Sequence, residues 1–194
     1  MTTRPNVLRQ VRHAERRGWI RHFREAGRLR GVSPALLMAI ASRESRIGRA
    51  LGPTCKGDVG NAWGIMQIDR RFHSEWTSRH DPCNHRANIL KGAEVLRAEL
   101  DHFGELVPGL ASYNASRGSI ETALEKNVSV DTYTTGGDYT ADVLQRFEWI
   151  KEARPKLAEP SQPSSLRAAA PVALASLALG GGNAYARSNS NSNP

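Results

Sequence analysis

The stretch from Leu36 to Asp69 constrains the fold of this chain more than any other. It begins with the apolar run LLMAIA and ends in a loop whose glycines let the backbone turn tightly. Ser33 followed by Pro34 is typical of a helix start, because a Ser oxygen can accept from free backbone N–H groups and Pro lacks the donor that would be unpaired there. We therefore predict a helix from about Pro34, followed by a glycine-rich loop.

Glu44 has an unusual place on this predicted helix. Leu37, Ile40 and Glu44 follow one another at steps of three and four residues, so they share one face. A carboxyl group at the end of an apolar row loses hydration, which disfavours its charged form and raises its pKa toward the range of a general acid. The alternative is an ordinary surface glutamate that pairs with Arg43 or Arg46.

Two further carboxylates, Asp58 and Asp69, lie in the glycine-rich loop and would converge with Glu44 on one cleft. The alternative for both is a structural role in capping turns. The loop glycines lack the spacing of a phosphate-binding GxGxxG motif and do not open a helix after a strand. We therefore expect no nucleotide cofactor.

Four sequence blocks together resemble goose-type lysozyme and, more distantly, the catalytic domain of soluble lytic transglycosylases. They are SRES at 42–45, GDVGNAWGIMQID at 57–69, ASYNAS at 111–116 and TTGGDYTADV at 134–143. Their order and approximate spacing match over about residues 33–152. The resemblance implies a mainly α, lysozyme-like fold in the α or α+β class, which is a single helical domain with a substrate groove.

The resemblance also implies roles for individual residues. Glu44 would be the general acid, and Asp58 and Asp69 would hold or activate the attacking water. The expected reaction is hydrolysis of the β-1,4 bond between N-acetylmuramic acid and N-acetylglucosamine with inversion, for which the two carboxyl groups stand roughly 6.5–9.5 Å apart. The residues expected to line the sugar subsites are Gln67, His73, Tyr113, Asn114 and Tyr139.

Some of these residues also have purely structural interpretations. Tyr113 beside Asn114 suits a saccharide, because the ring is an apolar platform and the amide both donates and accepts. His73 could instead be a surface histidine at a turn. Tyr139 could be a core tyrosine with a satisfied hydroxyl.

Three other proteins could share these motifs. A lytic transglycosylase needs the same acid but no water-activating carboxylate, and the presence of both Asp58 and Asp69 favours hydrolysis. A non-catalytic wall-binding module, or a basic nucleic-acid binder that uses Arg9 to Arg30, would retain its polyanion affinity after Glu44→Gln.

The two cysteines, Cys55 and Cys83, flank the predicted loop, and they could form one bridge or stay reduced. Cys83 and His85 also raise the question of a zinc site. The C-x-H spacing is not that of a structural zinc pair, so we expect no metal.

The positive charge is concentrated at the N-terminus. The chain has 27 basic and 19 acidic side chains, a formal net charge of +8. Residues 1–31 hold nine arginines and two glutamates, which is +7 of that total. The pattern predicts one basic amphipathic helix over residues 1–31, with Leu8, Trp19 and Leu29 among its apolar residues. It could contact a wall, a membrane surface or RNA, or it could be a solvated helix that packs on the core.

Periodicity predicts helices over residues 84–103, 106–115 and 119–126, and a final helix beginning near Tyr139, for about seven helices with little or no sheet. We assign the catalytic domain to residues 32–153. Residues 154–194 change to a Pro-, Ala- and Ser-rich composition, which predicts a disordered tail.

The expected partners and location follow from these assignments. No apolar run is long enough to span a bilayer, and the N-terminus lacks the apolar segment of a secretory signal peptide. We expect a monomer that acts on peptidoglycan strands outside the cell or at the wall, without nucleic acid.

Overall fold

A computed structural model describes residues 2–159 of the chain. Within this range the fold is a single, mainly α domain, as predicted. It has eight α-helices, one more than expected, and one small sheet. The predicted tail beyond residue 159 lies outside the described residues. The elements are α1 Arg4–Arg16, α2 Ile20–Arg30, α3 Pro34–Ser45, β1 Lys56–Gly57, β2 Ala62–Trp63, β3 Ile68–Asp69, α4 Ser74–Arg79, α5 His85–Phe103, α6 Leu106–Asn114, α7 Arg117–Glu125 and α8 Tyr139–Ala153.

Helix α3 is the centre of the molecule. Its start agrees with the prediction, since the Ser33 hydroxyl oxygen accepts from the Leu36 N–H at 3.4 Å. Every residue from Pro34 to Ser42 is buried, so the helix is enclosed on all sides rather than along one stripe. It packs most extensively against α8, and this packing fixes where its last turn lies.

The N-terminal segment differs from the prediction of one helix. Two helices, α1 and α2, meet at Gly18, whose φ of +70° ends the first helix. Their apolar side chains, including Val11 and Phe23, belong to the same hydrophobic core as α3 and α8. Leu29, which was expected on the buried side, is 52% exposed. The N-terminal arginines therefore lie on two helices whose apolar side chains form part of the domain's core.

A three-stranded antiparallel sheet forms in the glycine-rich loop, where little or no sheet was expected. Its order is β1-β2-β3, with Lys56 opposite Trp63 and Ala62 opposite Asp69. Each strand has only two residues, so period-two alternation has no room to appear in the sequence. The sheet ends at Asp69 and brings it next to the chain at Asn61, whose carbonyl accepts from the Arg70 N–H at 2.9 Å.

The later helices agree closely with prediction. Helix α5 begins after Asn84, whose side-chain oxygen accepts from the Ala87 N–H at 3.1 Å, and it ends before Gly104. The predicted buried face of α8, formed by Val143, Phe147 and Ile150, is in the core. None of the helices within residues 2–159 is long and apolar enough to cross a membrane.

The first residues of the predicted tail are ordered. Residues Pro155–Leu157 form a 3-10 turn, and Leu157 is only 2% exposed. The Leu157 carbonyl accepts from the Ser33 hydroxyl at 3.2 Å. Arg154 also pairs with Glu15 of α1 at 2.5 Å. One apolar side chain and one ion pair thus hold residues 154–157 against the domain, which the prolines in the sequence did not suggest.

Candidate active site

Glu44 lies in the last turn of α3, against the first residue of α8. The Tyr139 hydroxyl donates to Glu44 Oε1 at 2.6 Å, and Tyr139 itself is 1% exposed. Burial raises the pKa of Glu44 to about 7, although the Tyr139 hydrogen bond and the positive charge of Arg43 both oppose that rise. Glu44 therefore keeps its proton into the neutral pH range, as a general acid must.

Arg43 does not neutralise Glu44. Its guanidinium donates to Asp138 at 2.7 Å and to Asp142 at 2.8 Å, and no ion pair to Glu44 is present in the described part of the chain. The interpretation of Glu44 as a surface glutamate paired with Arg43 is therefore wrong. The arginine instead ties α3 to the start of α8, the helix that carries Tyr139.

A buried polar network extends this link to the N-terminal helices. Arg146 of α8 donates to the Ser42 carbonyl at 3.0 Å and to the Ser42 hydroxyl at 2.7 Å, and its Nε donates to Asp142 at 2.8 Å. The Ser42 hydroxyl donates to the Gln10 side-chain oxygen at 2.7 Å. Helices α1, α3 and α8 are thereby joined two residues before Glu44, and sequence reasoning missed this network.

Asp131 positions the start of α8. Its carboxylate, 8% exposed, accepts from the Thr140 N–H at 2.9 Å and from the Thr140 and Thr134 hydroxyls at 2.5 and 3.0 Å. Burial alone would raise the pKa of Asp131, but these hydrogen bonds and one from the Ala141 N–H hold it below its usual value. An ionised Asp131 therefore anchors the turn from which the Tyr139 side chain reaches Glu44.

Tyr113 and Asn88 hold the strand-linking segment at Met66. The Tyr113 hydroxyl donates to the Met66 carbonyl at 2.9 Å, and the Asn88 side-chain oxygen accepts from the Met66 N–H at 2.7 Å. Burial raises the pKa of Tyr113 well above its usual value, and the negative charge of Glu44 adds to that rise. Gly64 is needed here because a Cβ would lie 2.4 Å from the Asn88 side chain. Asn88, on a helix, gave no sequence signal.

Asp58 and Asp69 are brought together by an arginine that sequence reasoning missed. Arg71 Nη2 donates to Asp69 Oδ2 at 2.5 Å and to Asp58 Oδ2 at 3.1 Å. The hydrogen bonds from Arg71 lower the pKa of Asp69 despite its partial burial. The side chains of Asp69 and Asp58 are 27% and 53% exposed. The only available signal was the D-x-R spacing, which is common in turns.

The turn-capping interpretation of Asp69 is also partly correct. Its Oδ1 accepts from the Arg71 N–H at 2.8 Å, a bond typical of an aspartate-stabilised turn. Oδ1 therefore shapes the turn and also accepts from Arg71 Nε at 3.0 Å, while Oδ2 accepts from Arg71 Nε and Nη2. The structural and the chemical interpretations of this residue are compatible.

Gln67 and Asn114 each have one side-chain group committed to the backbone. Gln67 Nε2 donates to the Gly64 carbonyl at 2.6 Å. The Asn114 side-chain oxygen accepts from the Thr135 N–H at 2.7 Å and so joins the end of α6 to the loop before α8. Asn114 is thus positioned by the same loop that precedes Tyr139.

His73 follows the sheet and precedes α4. The backbone N–H of His73 donates to the Asp69 carbonyl at 3.0 Å, so the position of His73 depends on the turn that follows Asp69. Burial lowers the pKa of His73, with a further contribution from the positive charge of Lys91, while nearby carboxylates including Asp69 act in the opposite direction. A neutral imidazole that both donates and accepts is the expected form near pH 7.

The two cysteines are joined. Cys55 and Cys83 form a disulfide that closes a loop with a sequence separation of 28, and this loop contains the whole sheet. A bridged pair cannot supply thiolate ligands, so it cannot form the zinc site considered with His85. Within residues 2–159 no group of three or more His, Cys, Asp or Glu side chains could hold a metal ion.

The predicted catalytic residues thus lie in two groups, each with neighbours that position it. The acid group consists of Glu44, Tyr139 and the Tyr113 ring. The carboxylate pair consists of Asp58 and Asp69 held by Arg71. Burial raises the pKa of Glu44 whereas Arg71 lowers that of Asp69, so the two carboxyl groups are shifted in opposite directions.

Comparisons with known proteins identify the family of the chain. A sequence profile described as Lysozyme g matches residues 14–153. The chain is 32% identical to a lysozyme g from Epinephelus coioides over 62% of this chain and 68% of that protein. It is 30% identical to one from Struthio camelus over 67% and 64%, and 34% identical to one from Takifugu rubripes over 66% and 70%. The alignments thus span about two thirds of these relatives' lengths.

Proposed function

Because the chain belongs to the goose-type lysozyme family, we propose that it is a muramidase that hydrolyses the β-1,4 bond between N-acetylmuramic acid and N-acetylglucosamine in peptidoglycan. The family match and the names of the relatives support the reaction class. The observation that carries the chemistry is Glu44, a carboxyl group that remains protonated near neutral pH and accepts a hydrogen bond from Tyr139.

In this proposal Glu44 protonates the glycosidic oxygen as the bond breaks. The Tyr139 hydroxyl donates to one carboxyl oxygen and leaves the other to carry the proton. Once Glu44 has given up its proton, the same hydrogen bond stabilises the carboxylate. Tyr139 therefore orients the acid and also limits how far burial raises its pKa.

The carboxylate pair would orient and deprotonate the attacking water. Asp69 is better placed for this role than Asp58 because it is less exposed and lies in the shorter contact with Arg71. Water attack on the ring face opposite to Glu44 gives inversion, for which the carboxyl groups stand roughly 6.5–9.5 Å apart. The inverting stereochemistry and the choice of Asp69 are parts of the proposal.

Gln67, His73, Tyr113 and Asn114 are proposed to line the sugar subsites. The Tyr113 hydroxyl is already engaged with the Met66 carbonyl, so the ring rather than the hydroxyl would contact the sugar. The Asn114 oxygen is engaged with Thr135, which leaves its NH2 group for the substrate.

The location and partners belong to the same proposal. A disulfide around the sheet suits an oxidising compartment, so we propose action outside the cytoplasm on the cell wall. We propose a monomer that has no cofactor and that does not act on nucleic acid.

Mass spectrometry of the fragments released from purified peptidoglycan tests the reaction. Wild type is expected to release fragments with reducing muramic acid ends, and Glu44→Gln is expected to release them at about a thousandth of the rate. The matched control is Glu75→Gln, which removes an exposed carboxylate paired, among residues 2–159, with Arg79 alone, and it should leave the rate unchanged.

Three outcomes would contradict parts of the proposal. Fragments with 1,6-anhydro ends would make the enzyme a lytic transglycosylase. Retention of the anomeric configuration, read by proton NMR on fresh product, would exclude an inverting water. The absence of fragments from folded wild type would leave a wall-binding module.

A further inference from the structure

A second pocket lies apart from the residues of the candidate active site. It has a volume of about 360 Å³ and lies between the corner that joins α1 to α2 and the loop from Gly48 to Cys55. None of the acid group, the carboxylate pair or the proposed subsite residues lines it. The residues that determine its character are His13, Arg17, Trp19, Arg49 and His85.

The positive charges of this pocket are uncompensated. Within residues 2–159 neither Arg17 nor Arg49 has an ion pair or a side-chain hydrogen bond, and no carboxylate lines the pocket. Arg49, Arg16 and Arg17 add to burial in lowering the pKa of His13. Neighbouring cations of this kind are unfavourable unless an anion joins them.

His85, on the other side of the pocket, also has mainly positive neighbours. Burial and the charges of Arg17 and His22 lower the pKa of His85, and the single acidic group that acts in the opposite direction is Asp81. Both imidazoles are therefore available to gain protons when a negative group arrives. Binding of an anion would raise the pKa of each.

Trp19 packs against Arg17 and both imidazoles. Its ring centroid lies 5.4 Å from that of His13 and 4.4 Å from that of His85, both edge-to-face, and the Arg17 guanidinium lies 5.4 Å above it. Trp19 is only 9% exposed, and a Cβ on Gly48 would lie 3.1 Å from its ring. A packed tryptophan thus forms a rigid wall, so an anion would order little additional structure on binding.

We propose that this pocket binds a phosphate group, supplied by the phosphodiesters of an anionic cell-wall polymer. Guanidinium groups match the oxygen geometry of phosphate, and a phosphate offers more acceptor oxygens to two arginines and two imidazoles than a carboxylate does. The choice of a wall polymer as the source rests on the proposed function. The pocket would hold the enzyme on the wall beside its glycan substrate.

Histidine NMR on the full chain tests the pocket without using hydrolysis. Titration with inorganic phosphate, and separately with poly(glycerol phosphate) at equal phosphate concentration, should raise the pKa values of His13 and His85. Arg49→Gln should weaken polymer binding about tenfold or more. Arg28→Gln is the matched control, since it removes one exposed, unpartnered arginine of the described residues at a distance from the pocket, and it should change affinity by less than twofold.

The outcomes distinguish a polymer phosphodiester from free phosphate as the ligand. They also distinguish failure of the pocket proposal from failure of the proposed function. Tighter binding of the polymer than of free phosphate, lost in Arg49→Gln, supports the proposal. Equal weakening by Arg28→Gln and Arg49→Gln, or unchanged histidine pKa values, overturns it. Tighter binding of a duplex oligonucleotide than of the polymer overturns the wall assignment. Intact hydrolysis with no binding refutes the pocket alone, whereas intact binding with no hydrolysis refutes the proposed function alone.

Discussion

The acid group and the carboxylate pair contain the same chemical group in two opposite environments. Glu44 lies in the last turn of α3 against α8, where burial raises its pKa to about 7. Asp69 stands at the end of a short strand, where Arg71 lowers its pKa. The difference shows that the supporting element, rather than the residue type, sets the direction of the pKa shift, and in the proposed function this is what separates the acid from the base.

The two regions also differ in what holds them in place. Buried helices and the Arg146 network fix the acid group. The carboxylate pair depends on three two-residue strands, the disulfide and one exposed arginine. The acid should therefore survive perturbations that displace the carboxylate pair, and each of the following predictions tests that contrast.

The largest expected effect is on stability, from replacing Cys55 and Cys83 by serine. Loss of a cross-link across 28 residues should lower the free energy of unfolding by about 3.5 kcal/mol, because the unfolded chain gains freedom. Chemical denaturation measures this. Below the melting temperature, hydrogen exchange should accelerate in residues 56–69 and remain slow in α3.

Reduction of the wild-type protein with a thiol reagent is the control, and it should reproduce both effects. If α3 and the sheet exchange at the same increased rate, the sheet is not the region that depends on the disulfide, and the contrast between the two regions fails.

The contrast also explains which parts could be predicted from the sequence. Helix α3, its cap at Ser33 and the place of Glu44 at the end of the buried row followed from a local pattern, since helix periodicity lies within a few neighbouring residues. The resemblance supplied the candidate roles of the carboxylate pair. Two-residue strands carry no period-two pattern, so the sheet could not be predicted.

The missed residues share a physical reason. Arg71, Asn88, Asp131 and Arg146 act by bonding to groups that the fold brings together, at sequence separations of up to 104 for Arg146 and Ser42. For Asn88 and Arg146 no local pattern encodes the partner, and for Arg71 and Asp131 the near partners, Asp69 and Thr134, lie in turns whose spacing is not specific. The break in the N-terminal helix was signalled by Gly18, but a single glycine within a helical pattern is weak information.

The next effect is the dependence of stability on pH. From pH 4.5 to about 7 folded Glu44 keeps its proton while unfolded Glu44 loses it, so this group's stabilisation declines as pH rises across that window. The decline is about 3 kcal/mol at most. Glu44→Gln removes it, so the variant should become more stable relative to wild type from pH 5 to pH 8 by denaturant unfolding.

Only the difference in unfolding free energy between wild type and Glu44→Gln is diagnostic, because the other carboxylates titrate in both proteins. Glu75→Gln, whose side chain is 79% exposed, should differ from wild type by a constant amount across the same pH range. Parallel curves for wild type and Glu44→Gln would show that Glu44 is not desolvated in the folded state.

Substitutions in the carboxylate pair should have a smaller effect, an increase in the activation free energy of hydrolysis. Asp69→Asn should reduce kcat about a hundredfold, because the water loses its base, and Asp58→Asn should reduce it less. Steady-state hydrolysis of soluble glycan oligomers measures both variants. Asp101→Asn, which removes an exposed carboxylate paired with Arg97, is the control and should have no effect. A larger loss from Asp58→Asn would exchange the roles within the pair.

The smallest effect is expected from Arg71→Gln. This variant separates the two regions because each region controls a different limb of the pH–rate profile. Loss of the guanidinium lets the pKa of Asp69 rise toward its usual value, so the acidic limb of the pH–rate profile should move to higher pH. The alkaline limb reports Glu44 and should stay near pH 7. Unfolding free energy should change by less than about 1 kcal/mol, because the ion pairs are exposed.

The neighbouring residue provides the control for this last variant. Among the described residues Arg70 has no side-chain partner, so Arg70→Gln removes the same charge without touching the carboxylate pair, and neither limb should move by more than the general effect of one positive charge. A shift of the alkaline limb in Arg71→Gln alone would mean that Arg71 also acts on Glu44. The acid group and the carboxylate pair would then be one electrostatic unit, and burial by the helices would no longer be a sufficient reason for the raised pKa of Glu44.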